Sequence, residues 1–337
     1  MTARGRLGAA IAVGIIALWT GWSAASTGSA AENFEFTAAP TAAQSNPIVV
    51  EKPRPSAYVA SSREINGQIK EEAARFVERV GSWADGESSS PEARLALAGY
   101  PADLVDEARV LVDVGDQQVR SASIDVVYPQ YGGLTPDSAS VIVLARQLLR
   151  TPAGATTRDF FADIRLVRDG TSWRVTSRID PARPPLRAGR AGGPTTLGAA
   201  VLAHPRIRIP APSRADIVER RVEDPILTVL LDLASRYDIQ LNAALTGHPR
   251  TVFPTTRLSN HAVGRALDIR AIDGVAVIDM PREGPVLRAF MTAAGAAGAT
   301  EVGGPILVSG TGFFTDDVHQ DHIHLGITPG RPTATAR

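Results

Sequence analysis

Two short stretches near the C-terminus, Arg265-Ala266-Leu267-Asp268-Ile269-Arg270 and His322-Ile323-His324-Leu325-Gly326-Ile327, alternate polar and apolar residues. A period of two is the signature of a half-buried strand, because successive side chains point to opposite faces. Leu267 and Ile269 then turn to a core and Asp268 to the opposite face, while His322 and His324 share one face of the second strand. If the two strands are neighbours, Asp268 and His324 converge, and His261 reaches the same point from the preceding loop, where Gly264 permits a tight turn. Two imidazoles and a carboxylate, with a fourth position left to water, form the donor set of an open zinc site rather than a closed structural one. A bare His-x-His pair arises often by chance. Here four of the six histidines fall in the segments 259–268 and 319–324. That fuller pattern points to a site for Zn2+ at His261, Asp268 and His324, against the alternative of polar loops that only look like one.

The motif Ser259-x-His261-x-x-Gly264-x-Ala266-x-Asp268, followed by the distal His322-x-His324, resembles the peptidase M15 type of zinc DD-peptidases and LD-endopeptidases and their relatives. The lysostaphin-type and penicillin-insensitive murein endopeptidases belong to the same superfamily. The resemblance covers roughly residues 216 to 328, and it implies zinc binding by His261, Asp268 and His324 in a compact Hedgehog/DD-peptidase-like fold. M15 carboxypeptidases usually carry a Glu three residues before the last ligand His; here that position is Asp321. The His319-x-x-His322-x-His324 spacing instead looks like the murein endopeptidase branch. That likeness puts His322 beside the metal as general base or transition-state stabiliser, a role suited to imidazole near neutral pH, with Asp321 as the alternative base. His319 is either a partner behind the ligands or a solvated residue. Thr246-Gly247-His248-Pro249-Arg250 sits where such enzymes often carry Ser-Gly-Tyr-Arg, which makes Arg250 the candidate to stabilise an oxyanion, with Arg257 as the alternative. Ser259 either bonds the substrate or caps the turn, and His248 is expected to be a loop residue rather than a ligand.

The remainder of the chain says where such a site operates. Arg4 and Arg6 precede an apolar run from Leu7 to about Ala25, so residues 1–31 are expected to be a signal peptide or an N-terminal membrane anchor. Trp19 and Trp22 suit an anchor's interface, and the positive flank places the rest of the chain outside the cytoplasm. The chain has no cysteine, which excludes disulfides, thiolate ligands and a lipoprotein attachment. Its formal net charge of zero offers no electrostatic case for nucleic acid.

With 337 residues and 44% apolar content, two folded units are expected, in an α+β class. Residues 32–62 read as a flexible linker rich in Ala, Pro, Ser and Thr. Residues 63–181 read as helices followed by an antiparallel sheet: a helix with Ile65, Ile69, Ala73, Phe76 and Val80 on one stripe, a helix started by Ser90-Pro91, another over 101–112, and strands over 121–128, 138–148, 160–167 and 173–179. That order, closing on the Asp169-Gly170 hairpin, resembles the NTF2-like folds and is expected to be an accessory domain. Trp83 and Trp173 fit its core. Residues 182–215 are expected to be a second linker, with a short edge strand over 206–210. The zinc peptidase domain is expected over 216–330 and a disordered tail over 331–337. Within that domain, Asp224 caps a helix, a strand runs over 240–246, a helix over 285–297 and another strand over 306–308.

These observations set the expectation of a zinc metallopeptidase of the cell envelope, tethered or secreted, that hydrolyses peptidoglycan peptides. Two alternatives stand beside it: a non-catalytic zinc-containing binding module, and a scaffold whose function lies in the middle region.

Overall fold

A computed structural model describes residues 58–115, 118–177 and 186–336. The expected signal or anchor segment, most of the first linker, and residues 178–185 lie outside the described residues. Among the described residues no helix is long and apolar enough to cross a membrane.

The first half is a helical layer on a sheet. Helices α1 (Gly67–Gly81), α2 (Pro91–Ala98) and α3 (Val105–Val112) precede strands β1 (Ser121–Leu134), β2 (Ser138–Thr151), β3 (Gly154–Asp169) and β4 (Ser172–Thr176). The strands pair antiparallel in sequence order. Of the stripe expected on α1, Ile69, Ala73, Phe76 and Val80 are each fully inaccessible, whereas Ile65 precedes the helix and is half-buried. Ser90 caps α2 as its sequence predicts, its hydroxyl accepting from the Ala93 amide at 3.2 Å. Trp83 and Trp173 pack in or against this core. The first three strands run longer than their alternation suggested, whereas β4 ends at Thr176, and β2 is buried continuously from Ala139 to Ala145. Both of its faces are covered, which is why Val141-Ile142-Val143-Leu144 shows no polar alternation. Val141 and Val143 face the helices. Ile142 and Leu144 pack with Phe161 and with Ala243 from the second half of the chain.

The second half holds helices α4 (Thr196–Ala203), α5 (Ala211–Val218), α6 (Asp224–Ala234) and α7 (Pro285–Ala296). Its strands are β5 (Ile207–Arg208), β6 (Ile239–Leu241), β7 (Ala266–Ile272), β8 (Val275–Ala276), β9 (Glu301–Gly303), β10 (Gly310–Thr311), β11 (Phe313–Phe314), β12 (Ile323–Gly326) and β13 (Thr335–Ala336). One mixed, mostly antiparallel sheet runs β11-β9-β12-β7-β6-β5, with β8 on β7, and β10 pairs with β13. The fold is therefore α+β. Helices α6 and α7 bury Ile226, Leu230, Leu287 and Phe290 against Leu267, Ile269, Ile323 and Leu325 of the sheet.

Several expectations are corrected here. Half of the described part of residues 182–215 is ordered as α4, β5 and the start of α5 rather than a linker, since Val201 and Ile207 have core positions to fill. Residues 335–336 of the expected tail pair with β10. Strand β6 ends at Leu241 rather than Thr246, because the chain leaves the sheet to form the loop that carries His248. No strand forms over 306–308. Glu223, not Asp224, occupies the N-cap of α6, and the Asp224 carboxylate instead accepts a hydrogen bond from Thr195 Oγ1 at 2.6 Å. The described residues fall in one compact unit. The contact between the halves is close. Gly247, at φ 85°, lies where an added Cβ would come within 2.2 Å of Phe161 Cβ, so only glycine fits both the backbone and the space.

Candidate metal centre

Strands β7 and β12 are antiparallel neighbours, with Asp268 directly opposite His324. Such cross-strand partners stand close enough for their side chains to meet on one face. His261 begins a 3-10 turn that ends at Gly264, whose φ of 74° and approach to the Arg221 carbonyl tolerate no side chain. Ser259 Oγ accepts the His261 amide at 3.2 Å at the start of this turn, and Ser259 also lines the cavity beside the histidines.

Around Asp268 the distances are short. Its Oδ1 is 3.1 Å from His261 Nε2 and 3.2 Å from His324 Nδ1, and those two nitrogens are 3.2 Å apart. His322 Nε2 stands 3.7 Å from the same oxygen. Oδ2 accepts from Gln130 Nε2 at 2.6 Å, and His248 Nε2 lies 3.7 Å from it. The His248 ring stacks on His261, with centroids 3.7 Å apart. His248, His261 and Asp268 form a group that could hold a metal ion. His248 is thus no ordinary loop residue; its loop folds back so that the ring covers His261.

Hydrogen bonds behind the imidazoles set which nitrogen faces inward. His261 Nδ1 donates to the Ala244 carbonyl at 2.5 Å, freeing Nε2. His322 Nδ1 donates to Asp321 Oδ1 at 2.5 Å, again freeing Nε2. This is the usual way a carboxylate or carbonyl orients an imidazole for a metal or a proton. Asp321 itself is fully buried beneath His322, so its carboxylate faces the protein rather than the cavity. Arg250 lines a different cavity of about 350 Å³ with Phe161 and Asp163, whereas Arg257 lines the histidine cavity. His319 lines the histidine cavity and bonds Asp316 Oδ1 at 2.6 Å.

The electrostatics agree with a cluster built to hold charge. Burial works against an ionised Asp268, yet His261 and His322 overcome it and hold its carboxyl well below the usual range. Burial pushes His324 down to about 4 despite its hydrogen bond to Asp268, and burial followed by the neighbouring His261 pushes His248 well below its ordinary value. Neutral imidazoles of this kind are the form that binds metals. His322 is the exception: burial would lower it, but Asp268 and Asp321 outweigh burial and raise it. The cluster floors a cavity of about 520 Å³, walled by Phe314, Glu301, Arg257, Asn260 and the backbone at Gly132 and Gly133.

Lys70, Gln130 and Asn242 also belong to this neighbourhood, and no sequence signal named them. Lys70 Nζ is 2.5 Å from Asp321 Oδ2, and Asn242 Nδ2 donates to Gln130 Oε1 at 2.8 Å.

No family model matches the chain, and no curated protein does. Among solved structures, a function-unknown protein from Mycobacterium tuberculosis (Rv3472) is similar at 18% identity over 31% of this chain, with a TM-score of 0.17. The match spans about half of that protein, 54% of its length.

Proposed function

We propose that this chain is a zinc-dependent peptidase of the cell envelope that hydrolyses peptide bonds in peptidoglycan peptides. The observation that carries the reading is the triangle of His261 Nε2, Asp268 Oδ1 and His324 Nδ1, with sides of 3.1, 3.2 and 3.2 Å. In a tetrahedral zinc site with bonds of about 2.0–2.1 Å, ligand atoms are about 3.3 Å apart, so these three donors suit one ion without rearrangement. His248, whose nitrogen is 3.7 Å from the other carboxylate oxygen, fits the triangle less closely and covers His261 instead. Zinc held by these residues would supply Lewis acidity to polarise a carbonyl and activate water.

The remaining steps belong to the protein. His322 lines the cavity and its Nδ1 is fixed by Asp321, so His322 is the residue placed to take a proton from an attacking water and return it to a leaving amine. Asp321 orients His322 and is not the base. Arg257, in the cavity wall, replaces Arg250 as the cationic candidate for a developing oxyanion. The motif resemblance supports peptide substrates from the cell wall, and the basic, apolar N-terminal segment supports an extracytoplasmic site of action.

One observation favours a second reading, a non-catalytic zinc-containing binding module: Asp321, where M15 carboxypeptidases carry their Glu, is turned away from the cavity and paired with Lys70. Metal analysis and a hydrolysis assay on muropeptides separate the two. The expected result is one zinc per full-length chain, lost in His324→Ala, with hydrolysis that falls at least about 100-fold in His322→Ala while zinc is retained. Zinc without hydrolysis selects the binding module. No zinc in the wild type, after reconstitution, sinks both readings.

A further inference from the structure

We propose that Lys70 and Gln130, from the half of the chain that carries no motif, are positioning residues of the metal centre, which is incomplete without them. The proposal deepens the zinc-peptidase reading and rests on it. Lys70 sits on α1 with its side chain wholly inaccessible, a setting that lysine almost never occupies unless paired. Its ammonium lies between Asp321 Oδ2 at 2.5 Å and Glu64 Oε2 at 2.6 Å, over the Tyr131 ring at 4.8 Å. Tyr131 adds its backbone amide to the same Asp321 oxygen at 3.0 Å, and the Tyr128 hydroxyl donates to the Asp321 carbonyl at 2.8 Å. The helix–sheet half therefore occupies Oδ2 and the backbone of Asp321, leaving Oδ1 to hold His322 Nδ1.

Gln130 repeats the device on the other carboxylate. Its amide nitrogen donates to Asp268 Oδ2 at 2.6 Å, and its amide oxygen is fixed by Asn242 at 2.8 Å. Oδ1 of Asp268 is thereby left to face His261 and His324. Both carboxylates that organise the imidazoles thus have their outer oxygen held by a residue of the first half. Removing one ion of a buried group without its partner leaves an uncompensated charge, so the pair as well as the single residue has to be varied.

The test uses the full-length chain and four proteins: wild type, Lys70→Met, the charge-paired Glu64→Gln/Lys70→Met, and Gln130→Leu. Zinc affinity is read by chelator competition, kcat and KM on a muropeptide, and the His322 tautomer from imidazole 15N resonances. In the charge-paired variant zinc binding and KM are expected to hold, kcat to fall about 10–100-fold, and the signature of a Nδ1-protonated His322 to be lost. In Gln130→Leu zinc affinity is expected to fall about 10–100-fold. An unchanged kcat and unchanged His322 resonances in the charge-paired variant, or unchanged zinc affinity in Gln130→Leu, overturn the proposal. A wild type that binds zinc without hydrolysing anything sinks the peptidase reading alone, since the His322 resonances and the zinc affinity still decide this one.

Discussion

The two halves of the described chain contribute to the centre in opposite ways. Residues 186–336 bring the imidazoles and the Asp268 carboxylate, most of them in two short stretches of sequence. Residues 58–177 bring one ammonium, one amide and two tyrosines, scattered over α1 and β1 with no motif among them. A donor set can be legible because its members repeat at the period of a strand. The groups that aim it are chosen only by where a second element packs, so nothing in their own neighbourhood marks them.

The comparison can be broken first through the core of the motif-free half. Phe76 is fully buried against the sheet, and Phe76→Ala is expected to cost about 3–5 kcal/mol. If the halves are one cooperative unit, calorimetry shows a single transition shifted as a whole. Two separate transitions, with the second half unmoved, would make the first half an independent body and weaken its role at the centre. A smaller perturbation addresses the seam. Gly247→Val forces a side chain against Phe161 at positive φ and is expected to cost about 1–3 kcal/mol, lowering zinc affinity along with stability. Stability lost with zinc affinity intact would show that the seam holds the fold but not the centre.

The next effect depends on pH. Burial lifts the Glu78 carboxyl from 4.5 to about 7, against a hydrogen bond from the Tyr58 backbone and with help from Asp125. Between those values the folded chain keeps a proton that the unfolded chain has released, so stability falls as the pH rises through this window. Glu78→Gln should therefore stabilise above pH 7, by on the order of 1–3 kcal/mol, and make little difference near pH 4. A pH-independent effect on Tm would remove the charge argument. The smallest effect is expected on the outer edge. Arg146 and Asp159 form an exposed pair at 2.8 Å, and Arg146→Ala should change stability by less than about 1 kcal/mol and leave zinc binding alone.

How much was readable follows residue by residue. The period of two placed Asp268 and His324 on one face, and the structure sets them directly opposite each other. Gly264 was readable as a turn because only glycine takes its conformation beside the Arg221 carbonyl. His248 reads as a loop residue, because a lone histidine between Gly247 and Pro249 carries no sign of the ring it stacks on. Arg250 is a candidate by position in the motif alone, and it lines another cavity because the chain reverses between Thr251 and Leu258. The 182–215 stretch reads as a linker through its proline, glycine and arginine content, although it holds Val201 and Ile207, both buried.

By itself the amino-acid sequence determined the α+β class, the helix stripe of α1, the cap of α2, and the strand faces that carry Asp268, His322 and His324. Each depends on side chains within a turn or two of one another, where backbone periodicity alone fixes direction. Only the tertiary structure decided that β7 and β12 are neighbours, that the β1–β4 sheet buries its second face on Ala243, and that Lys70 and Gln130 reach Asp321 and Asp268. Those contacts join residues 138 and 251 positions apart. Over such separations the chain keeps no local record of its partners, and packing selects them.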